Sequence, residues 1–219
     1  GIPDFRGTQG LWKRFDPRMA SRSYFLEDPL GFWRFYAERY EFIMAAEPNG
    51  AHRALASLES RGRLVGVVTQ NIDGLHAKAG SRAVLEVHGN IVASRCDRCG
   101  AGRATLDLIR GPVARGEVPH CGRCGGTLRP CVVLFEEPVD AMEAAMRMAL
   151  ESDLCLAVGS SLCVYPAAMV PEVVKSQGGS LIIVNSDPTP MDRIADLVIR
   201  AKASMALEAI VQELDRRTG

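Results

Sequence analysis

The chain has 219 residues, of which 47% are hydrophobic and 24% are charged, which is enough for one substantial core and a small satellite domain. Its 26 basic residues balance its 26 acidic residues, so the composition gives no sign of a nucleic-acid partner or an anionic membrane surface. The sequence shows no apolar run of membrane-spanning length and no positively charged leader, and we therefore expect a cytoplasmic protein without a membrane partner.

The first third of the chain predicts two amphipathic helices. Between residues 29 and 46, apolar residues recur at spacings of three and four, and the pattern ends before Pro48. Tyr36 and Arg39 lie about one turn apart on the same stripe, so both side chains should point towards whatever this helix covers. A second helix is predicted from Asn49 to Arg61.

Two predicted strands end at polar side chains. Apolar, β-branched runs at residues 64–68 and 84–87 predict buried strands. The residues that follow them are Gln70, Asn71, Ile72 and Asp73 after the first strand, and His88 after the second. In an open α/β sheet, ligands bind in the crevice beyond the carboxyl ends of the strands, so these side chains predict one shared site.

Four cysteines in two Cys-x-x-Cys pairs predict a zinc site. The pairs are Cys96 with Cys99 and Cys121 with Cys124, and a segment containing Gly, Pro and charged residues separates them. Four thiolates close a tetrahedral shell and leave no position for water, so a zinc ion here would be structural and not catalytic. A small module without its own core needs such a metal, and we expect it to span residues 95–130.

The second half of the chain repeats a strand, a short turn and a helix. Strands are predicted at residues 154–158, 181–184 and 197–199. Small and polar residues follow them, namely Gly159, Ser160, Ser161, Asn185, Lys202 and Ala203. Strands that alternate with helices are typical of a doubly wound parallel sheet, so we predict an α/β fold with a nucleotide crevice. The fold alone does not say which chemistry takes place there.

The stretch Thr69-Gln70-Asn71-Ile72-Asp73-Gly74-Leu75-His76, followed by a strand and His88-Gly89, resembles the core signature of the sirtuins, the NAD-dependent protein-lysine deacylases. The resemblance covers essentially the whole chain. It implies a Rossmann-like NAD-binding domain made of residues 1–16, 47–94 and 131–219. It also implies a helical module at residues 17–46, beside the zinc module.

The resemblance implies a role for each residue of the crevice. His88 would be the catalytic general base for a ribose hydroxyl, once the acyl oxygen has displaced nicotinamide from NAD. The NAD contacts would come from Phe5, Arg6, Gln70, Asn71, Ile72, Asp73, Gly159, Ser160, Ser161, Asn185, Lys202 and Ala203. The acylated lysine of a protein or peptide would be bound by Tyr36, Arg39, Val132, Val133 and Phe135. The oligomeric state is open, although a monomer is expected.

Tyr36 and Arg39 bear on the choice of acyl group. A Tyr-x-x-Arg pair in the corresponding helix resembles the sirtuin branch that removes acidic acyl groups such as succinyl and malonyl. A guanidinium can hold a carboxylate through two parallel hydrogen bonds, and the phenol can add a third. The alternative is structural, with Arg39 covering apolar surface and Tyr36 packing in the core.

The chain departs from the sirtuin pattern in two regions. The strand and Gly-Ala-Gly-x-Ser turn that precede the Asp4-Phe5-Arg6 segment in sirtuins are absent, so we expect the sequence to be a fragment. After the zinc module, Cys131, Leu134 and Glu136 stand where the family has a polar residue, an aromatic residue and a glycine. If the family needs that glycine for a positive φ or a close approach of the peptide, Glu136 should strain the loop or obstruct the peptide.

Three functions therefore stay open. The leading hypothesis is removal of acetyl, or of succinyl and malonyl, from protein lysines, which gives nicotinamide and O-acyl-ADP-ribose. The second is mono-ADP-ribosyl transfer, which shares the step that releases nicotinamide. The third is a non-catalytic module that binds NAD or acyl-lysine, favoured by the missing glycine-rich start and by Glu136.

Overall fold

A computed structural model of the protein describes residue 2, residue 13 and residues 15–218. Phe5 and Arg6, which the sirtuin resemblance assigns to NAD, lie outside the described residues. The chain divides into two units. Unit 1 comprises Gly1–Glu47, Asn71–Gly74 and His88–Pro138, and unit 2 comprises Pro48–Gln70, Leu75–Val87 and Val139–Gly219.

Helices and strands alternate along much of the chain. The helices are α1 (Arg22–Glu27), α2 (Pro29–Met44), α3 (Gly50–Ser60), α4 (Leu75–Lys78), α5 (Thr105–Arg110), α6 (Met142–Leu150), α7 (Met169–Ser176) and α8 (Ala203–Thr218). The strands are β1 (Val67–Thr69), β2 (Val84–Glu86), β3 (Gly89–Cys96), β4 (Gly102–Ala104), β5 (Leu128–Val132), β6 (Leu154–Val158), β7 (Ser180–Val184) and β8 (Leu197–Ile199). Among the described helices, none combines the length and the apolar character that crossing a bilayer requires.

The core of unit 1 is organised around α2. Asp28 caps this helix by accepting a hydrogen bond from the Gly31 N–H, and Pro29 fits its first turn because that position needs no N–H donor. Its apolar face buries Phe32, Trp33, Phe35, Tyr36, Tyr40 and Ile43. The Trp33 indole donates a hydrogen bond of 2.8 Å to the Leu128 carbonyl, which ties α2 to β5. β5 pairs antiparallel with β3, and β3 pairs antiparallel with β4.

Unit 2 contains the parallel strands. β1 pairs with β2, and β6, β7 and β8 pair in that order, all of them parallel. α3 begins at a capping box, in which the Asn49 side chain accepts from the backbone of His52 and the His52 side chain accepts from that of Asn49. Leu207 of α8 is fully buried against Ala54 and Leu55 of α3. The α/β class predicted from the sequence is therefore confirmed, and the boundaries of the three modules stay a prediction.

Candidate active site and zinc site

His88 of unit 1 lies directly before β3, beside the segment that carries Asn71, Ile72 and Asp73. The Ile72 carbonyl accepts a hydrogen bond of 3.0 Å from the Ile91 N–H, and this bond aligns the two segments. His88 and Asp73 are half-buried, and Asn71 is exposed. An imidazole, a carboxylate and an amide thus occupy neighbouring segments that solvent can reach.

The turns that follow the parallel strands of unit 2 carry the other predicted NAD contacts. The Gly159 N–H donates to the Val184 carbonyl at 2.9 Å, so the turn after β6 continues alongside the end of β7. The Asn185 N–H donates to the Ile199 carbonyl at 3.2 Å, which extends the same arrangement to β8. Gly159 has a φ of 58°, a conformation that glycine adopts at little cost.

The side chains of these turns suit an anionic, sugar-containing ligand. Ser160 and Ser161 are half-buried, and Lys202 is exposed just before α8. Ala203 is the first residue of α8, where backbone N–H groups are free of partners within the helix. Gln70 follows β1 directly and is half-buried. Hydroxyl and N–H donors together with a lysine fit phosphate and ribose oxygens.

The four cysteines predicted to bind zinc lie together. Their Sγ atoms are all within 4.8 Å of one another, with 3.4 Å between Cys96 and Cys124 and 3.7 Å between Cys99 and Cys121. Sulfur atoms around a tetrahedral zinc ion with Zn–S bonds of about 2.3 Å are about 3.8 Å apart, so the cluster fits this ion. A Cβ on Gly126 would come within 2.9 Å of the Cys96 Sγ, so this turn needs glycine.

Backbone N–H donors favour the thiolate form of Cys121. The pKa of the Cys121 thiol lies below its ordinary value because the N–H groups of Arg123 and Cys124 donate hydrogen bonds to its sulfur. A lowered pKa favours the thiolate, which is the form that binds zinc. Bound zinc would close this module as a structural cross-link.

α2 holds Tyr36 and Arg39 among aromatic rings. The Arg39 Cζ lies 3.2 Å from the ring centroid of Phe35, 5.3 Å from that of Phe15 and 5.6 Å from that of Tyr36. Burial lowers the pKa of Arg39 to about 10, so the guanidinium stays charged at neutral pH, and burial raises the pKa of the Tyr36 phenol. The Arg39 Nη1 atom is buried and has no hydrogen-bond partner in the described part of the chain.

Residues 132–137 form a short edge that ends in a tight turn. β5 ends at Val132, and the Val133 N–H donates to the His88 carbonyl at 2.9 Å. The Glu137 N–H donates to the Leu134 carbonyl at 3.1 Å and closes a β-turn. Phe135 is 44% exposed.

Glu136 occupies the turn position that favours glycine. Its φ is 77°, as the third residue of a type II turn requires, and a side chain there costs about 1–2 kcal/mol. Its carboxylate accepts hydrogen bonds of 2.9 Å from both the N–H and the hydroxyl of Ser23. These bonds offset part of the cost, so the turn forms in spite of the substitution.

Arg129 is a residue of this region that the sequence patterns do not single out. Its side chain is 3% exposed and contacts Asp97, Val132 and Glu137. The only local signal is that it precedes Pro130 and an apolar run, and such a signal is too common to indicate a role.

The chain has polar turns after parallel strands and a four-cysteine cluster that fits zinc, and these features define an α/β protein of the dinucleotide-binding class with a candidate zinc site. The model of the Sir2 family matches residues 1–166. The NAD-dependent protein deacetylase of Sulfolobus acidocaldarius is 51% identical over 215 residues, which cover 98% of this chain and 84% of that protein. The NAD-dependent protein deacylase of Aeropyrum pernix is 47% identical over 206 residues, or 93% of this chain and 82% of that protein.

Solved structures agree with these relatives. A mutant Sir2 homologue in complex with ADP-ribose has a TM-score of 0.91 and 38% identity, and the match covers 99% of this chain and 87% of that one. A mutant Sir2 with a deacetylated p53 peptide and 3′-O-acetyl ADP-ribose has a TM-score of 0.90 and 38% identity, covering 97% and 87%. The chain belongs to the Sir2 family, and the predicted sirtuin resemblance is confirmed.

Proposed function

We propose that the protein removes acyl groups from protein lysines in an NAD-dependent reaction that yields nicotinamide and O-acyl-ADP-ribose. The names of the relatives support this proposal, as does the neighbour solved with a deacetylated peptide and 3′-O-acetyl ADP-ribose. The observation that carries it is the Ile72–Ile91 hydrogen bond, because this bond joins the segment that holds Asn71 and Asp73 to the strand that directly follows His88.

His88 has the chemistry that the proposed reaction needs. An imidazole titrates near neutral pH, so it can take a proton from a ribose hydroxyl and release it later. Asn71 and Asp73 would hold the nicotinamide amide, Ile72 would pack beside them, and Gln70 would orient the ribose. The turns at residues 159–161, 185 and 202–203 would bind the phosphates and the adenosine, because they offer hydroxyl, amide and N–H donors.

The edge at residues 132–137 suits an extended peptide. Both backbone groups of Phe135 are paired, with the Ala20 carbonyl and the Arg22 N–H. The Val133 carbonyl and the Glu136 N–H have no hydrogen-bond partner among the described residues, so they are open to a further strand. Pairing through the backbone accepts many peptide sequences, while Val132, Val133 and Phe135 would line the acyl-lysine chain.

Analysis of the products by mass spectrometry tests the proposal. With NAD and an acetylated lysine peptide, we expect nicotinamide, O-acetyl-ADP-ribose and the deacetylated peptide in equal amounts. ADP-ribose attached to protein would instead indicate mono-ADP-ribosyl transfer. Saturable binding of NAD or of acyl-lysine peptide without turnover would indicate a binding module.

We further propose that the acyl groups include succinyl and malonyl. A buried polar group is costly without a hydrogen bond, and the buried Arg39 Nη1 atom has no hydrogen-bond partner in the described part of the chain. The carboxylate of an acidic acyl group would supply that partner beside the Tyr36 phenol. The deacylase name of some relatives is compatible with this wider choice.

Arg39→Met tests the acyl preference, because methionine keeps much of the length and removes the charge. A hydrogen bond to a charged group is worth about 1.5–3 kcal/mol, so kcat/KM for a succinylated peptide should fall about 10- to 100-fold more than for its acetylated form. Arg34→Met is the matched control, since Arg34 is exposed on the same helix. An equal decrease of kcat/KM for the two peptides would contradict the acyl preference and indicate that Arg39 has a structural role.

The location and the modules are also proposals. We propose a cytoplasmic protein, because the cysteines are free thiols and four of them suit zinc in a reducing compartment. We propose the division into an NAD-binding domain, a helical module at residues 17–46 and a zinc module at residues 95–130. The cysteine cluster supports the zinc module. The helical module is supported by α2, which begins after its cap at Asp28 and ends before Pro48.

A further inference from the structure

A buried arginine joins the zinc module to the turn that carries Phe135. Arg129 lies on β5, and its Nε donates to the Asp97 carboxylate at 3.0 Å. Its Nη2 donates to the Glu137 carboxylate at 2.8 Å, and its Nη1 donates to the Val132 carbonyl at 2.9 Å. Each nitrogen of one planar group therefore holds a different segment of unit 1.

The two carboxylates have further partners that fix their own positions. Asp97 follows the zinc-module residue Cys96, and its carboxylate accepts two hydrogen bonds, of 2.8 and 2.5 Å, from the Arg22 guanidinium. The second oxygen of Glu137 accepts from the Leu134 N–H at 3.0 Å. The positive charges of the two arginines, Arg22 and Arg129, equal in number the negative charges of the two carboxylates.

Arg129 and Glu137 form hydrogen bonds with some backbone groups of the edge and leave others without a bond from this network. Arg129 occupies the Val132 carbonyl, and Glu137, which Arg129 orients, occupies the Leu134 N–H. The Val133 carbonyl lies between these two and has no partner in the described part of the chain. Val133 is therefore flanked on both sides by residues whose backbone groups this network holds.

We propose that Arg129 is a positioning residue for the acylated peptide, acting through the Val132 carbonyl and the Glu137 carboxylate. This inference rests on the proposed deacylase function. Arginine is required because its fork presents three donors in fixed directions, whereas a lysine has one compact ammonium group that cannot reach all three acceptors. Lysine keeps the positive charge between Asp97 and Glu137, so the fold should survive the substitution.

Arg129→Lys is therefore the test variant, and Arg95→Lys is its matched control. Arg95 faces Arg129 in the ladder between β3 and β5, and it is exposed. For each protein, the measurements are kcat, the KM for an acetylated peptide, the KM for NAD, the zinc content and the melting temperature. We expect Arg129→Lys to raise the peptide KM about 10-fold while zinc content and the KM for NAD stay unchanged, and Arg95→Lys to match the wild type.

The outcomes separate positioning from simple structural support. An unchanged peptide KM in Arg129→Lys would overturn the inference, and so would a lower kcat at constant peptide KM. Should Arg129→Lys lose zinc or fail to fold, Glu137→Gln is the second variant, since it keeps Arg129 but removes the charge that pairs with Arg129 and Arg22 and one of the two oxygens that accept from Arg129 and Leu134. It should raise the peptide KM, and an unchanged KM would overturn the inference. A wild type that neither binds nor deacylates the peptide overturns the proposed function, and the inference falls with it.

Discussion

At the scale of single residues, His88 is the group on which turnover should depend most. In the proposed mechanism His88 is the base for a ribose hydroxyl, and general-base catalysis is worth about 10²- to 10⁴-fold. We expect His88→Ala to lower kcat by a factor in that range. The half-buried ring adds little to the core, so the melting temperature should stay within about 2 °C.

His120→Ala is the control for this prediction, because His120 is an exposed histidine of the same unit and should leave kcat unchanged. Stability measured by urea unfolding decides between catalysis and packing. A loss of about 2–5 kcal/mol in His88→Ala, as large as a core deletion, would contradict the catalytic role.

At the scale of elements, the turn from Leu134 to Glu137 combines backbone strain with side-chain hydrogen bonds. Glu136→Gly removes the cost of a positive φ, but it also removes both bonds to Ser23 and adds the conformational entropy of glycine. These effects oppose each other, so we expect the free energy of unfolding to change by no more than about 1 kcal/mol. Urea denaturation measures this difference.

Ser23→Ala completes a double-mutant cycle with Glu136→Gly. Because the Ser23 hydroxyl donates to Glu136, its loss should cost about 0.5–1 kcal/mol more in the wild-type background than in the Glu136→Gly background. Equal costs in the two backgrounds would mean that the carboxylate does not offset the strain of the turn.

The zinc module should depend on its metal. Cys96 ends β3, Cys99 lies just before β4, and Cys121 and Cys124 lie in the loop between α5 and β5, so a metal would join segments that have little regular structure between them. We expect one zinc ion per chain by metal analysis, and we expect chelation to lower both the melting temperature and the deacylase activity. Full activity in protein verified to be free of zinc would contradict a structural role for the metal.

The sequence predicted the parallel strands better than the antiparallel ones. β6 and β8 have the ends expected from their apolar runs, which stop where the chain must turn. β1 begins at Val67, later than the predicted residue 64, because its pairing with Val84 of β2 sets the boundary. The ladder of β3 and β5 could not be predicted, since its register shifts between Gly89 and Ser94 and breaks any alternation of polar and apolar residues.

At the scale of the whole molecule, acid stability should reflect carboxylates held by hydrogen bonds. The pKa of Asp196 is lowered, first by the Leu181 N–H at 2.7 Å and then by the Lys175 ammonium at 2.9 Å. Its stabilisation is therefore complete above the unfolded pKa of about 3.9 and is lost as pH falls through the lower folded value. We expect the urea concentration at the unfolding midpoint to decrease when the pH is lowered below about 4.

Asp196→Asn should flatten this dependence, because an amide cannot titrate. The variant should be less stable than the wild type at neutral pH, and the difference should shrink as acid protonates the wild-type carboxyl. Asp187→Asn, at an exposed position of the same unit, should follow the wild-type curve. Parallel curves for Asp196→Asn and the wild type would contradict the assignment.

The residues of the candidate site differ in how far they could be predicted. Groups after strand ends, such as His88 and Ser160, could be named because the carboxyl ends of strands in α/β sheets are where ligands bind. The contacts of Arg129 could not be predicted, since its partner Asp97 is 32 positions away and only the tertiary fold brings them together. The positive φ of Glu136 likewise follows from the closing of its turn and not from a preference of glutamate.

The most direct test of the central claim is the rate of nicotinamide release from NAD, measured with and without an acylated lysine peptide. We predict release that requires the peptide and equals the rate of lysine deacylation, because the acyl oxygen must displace the nicotinamide. Release at the same rate without the peptide, or deacylation without NAD, would contradict the account.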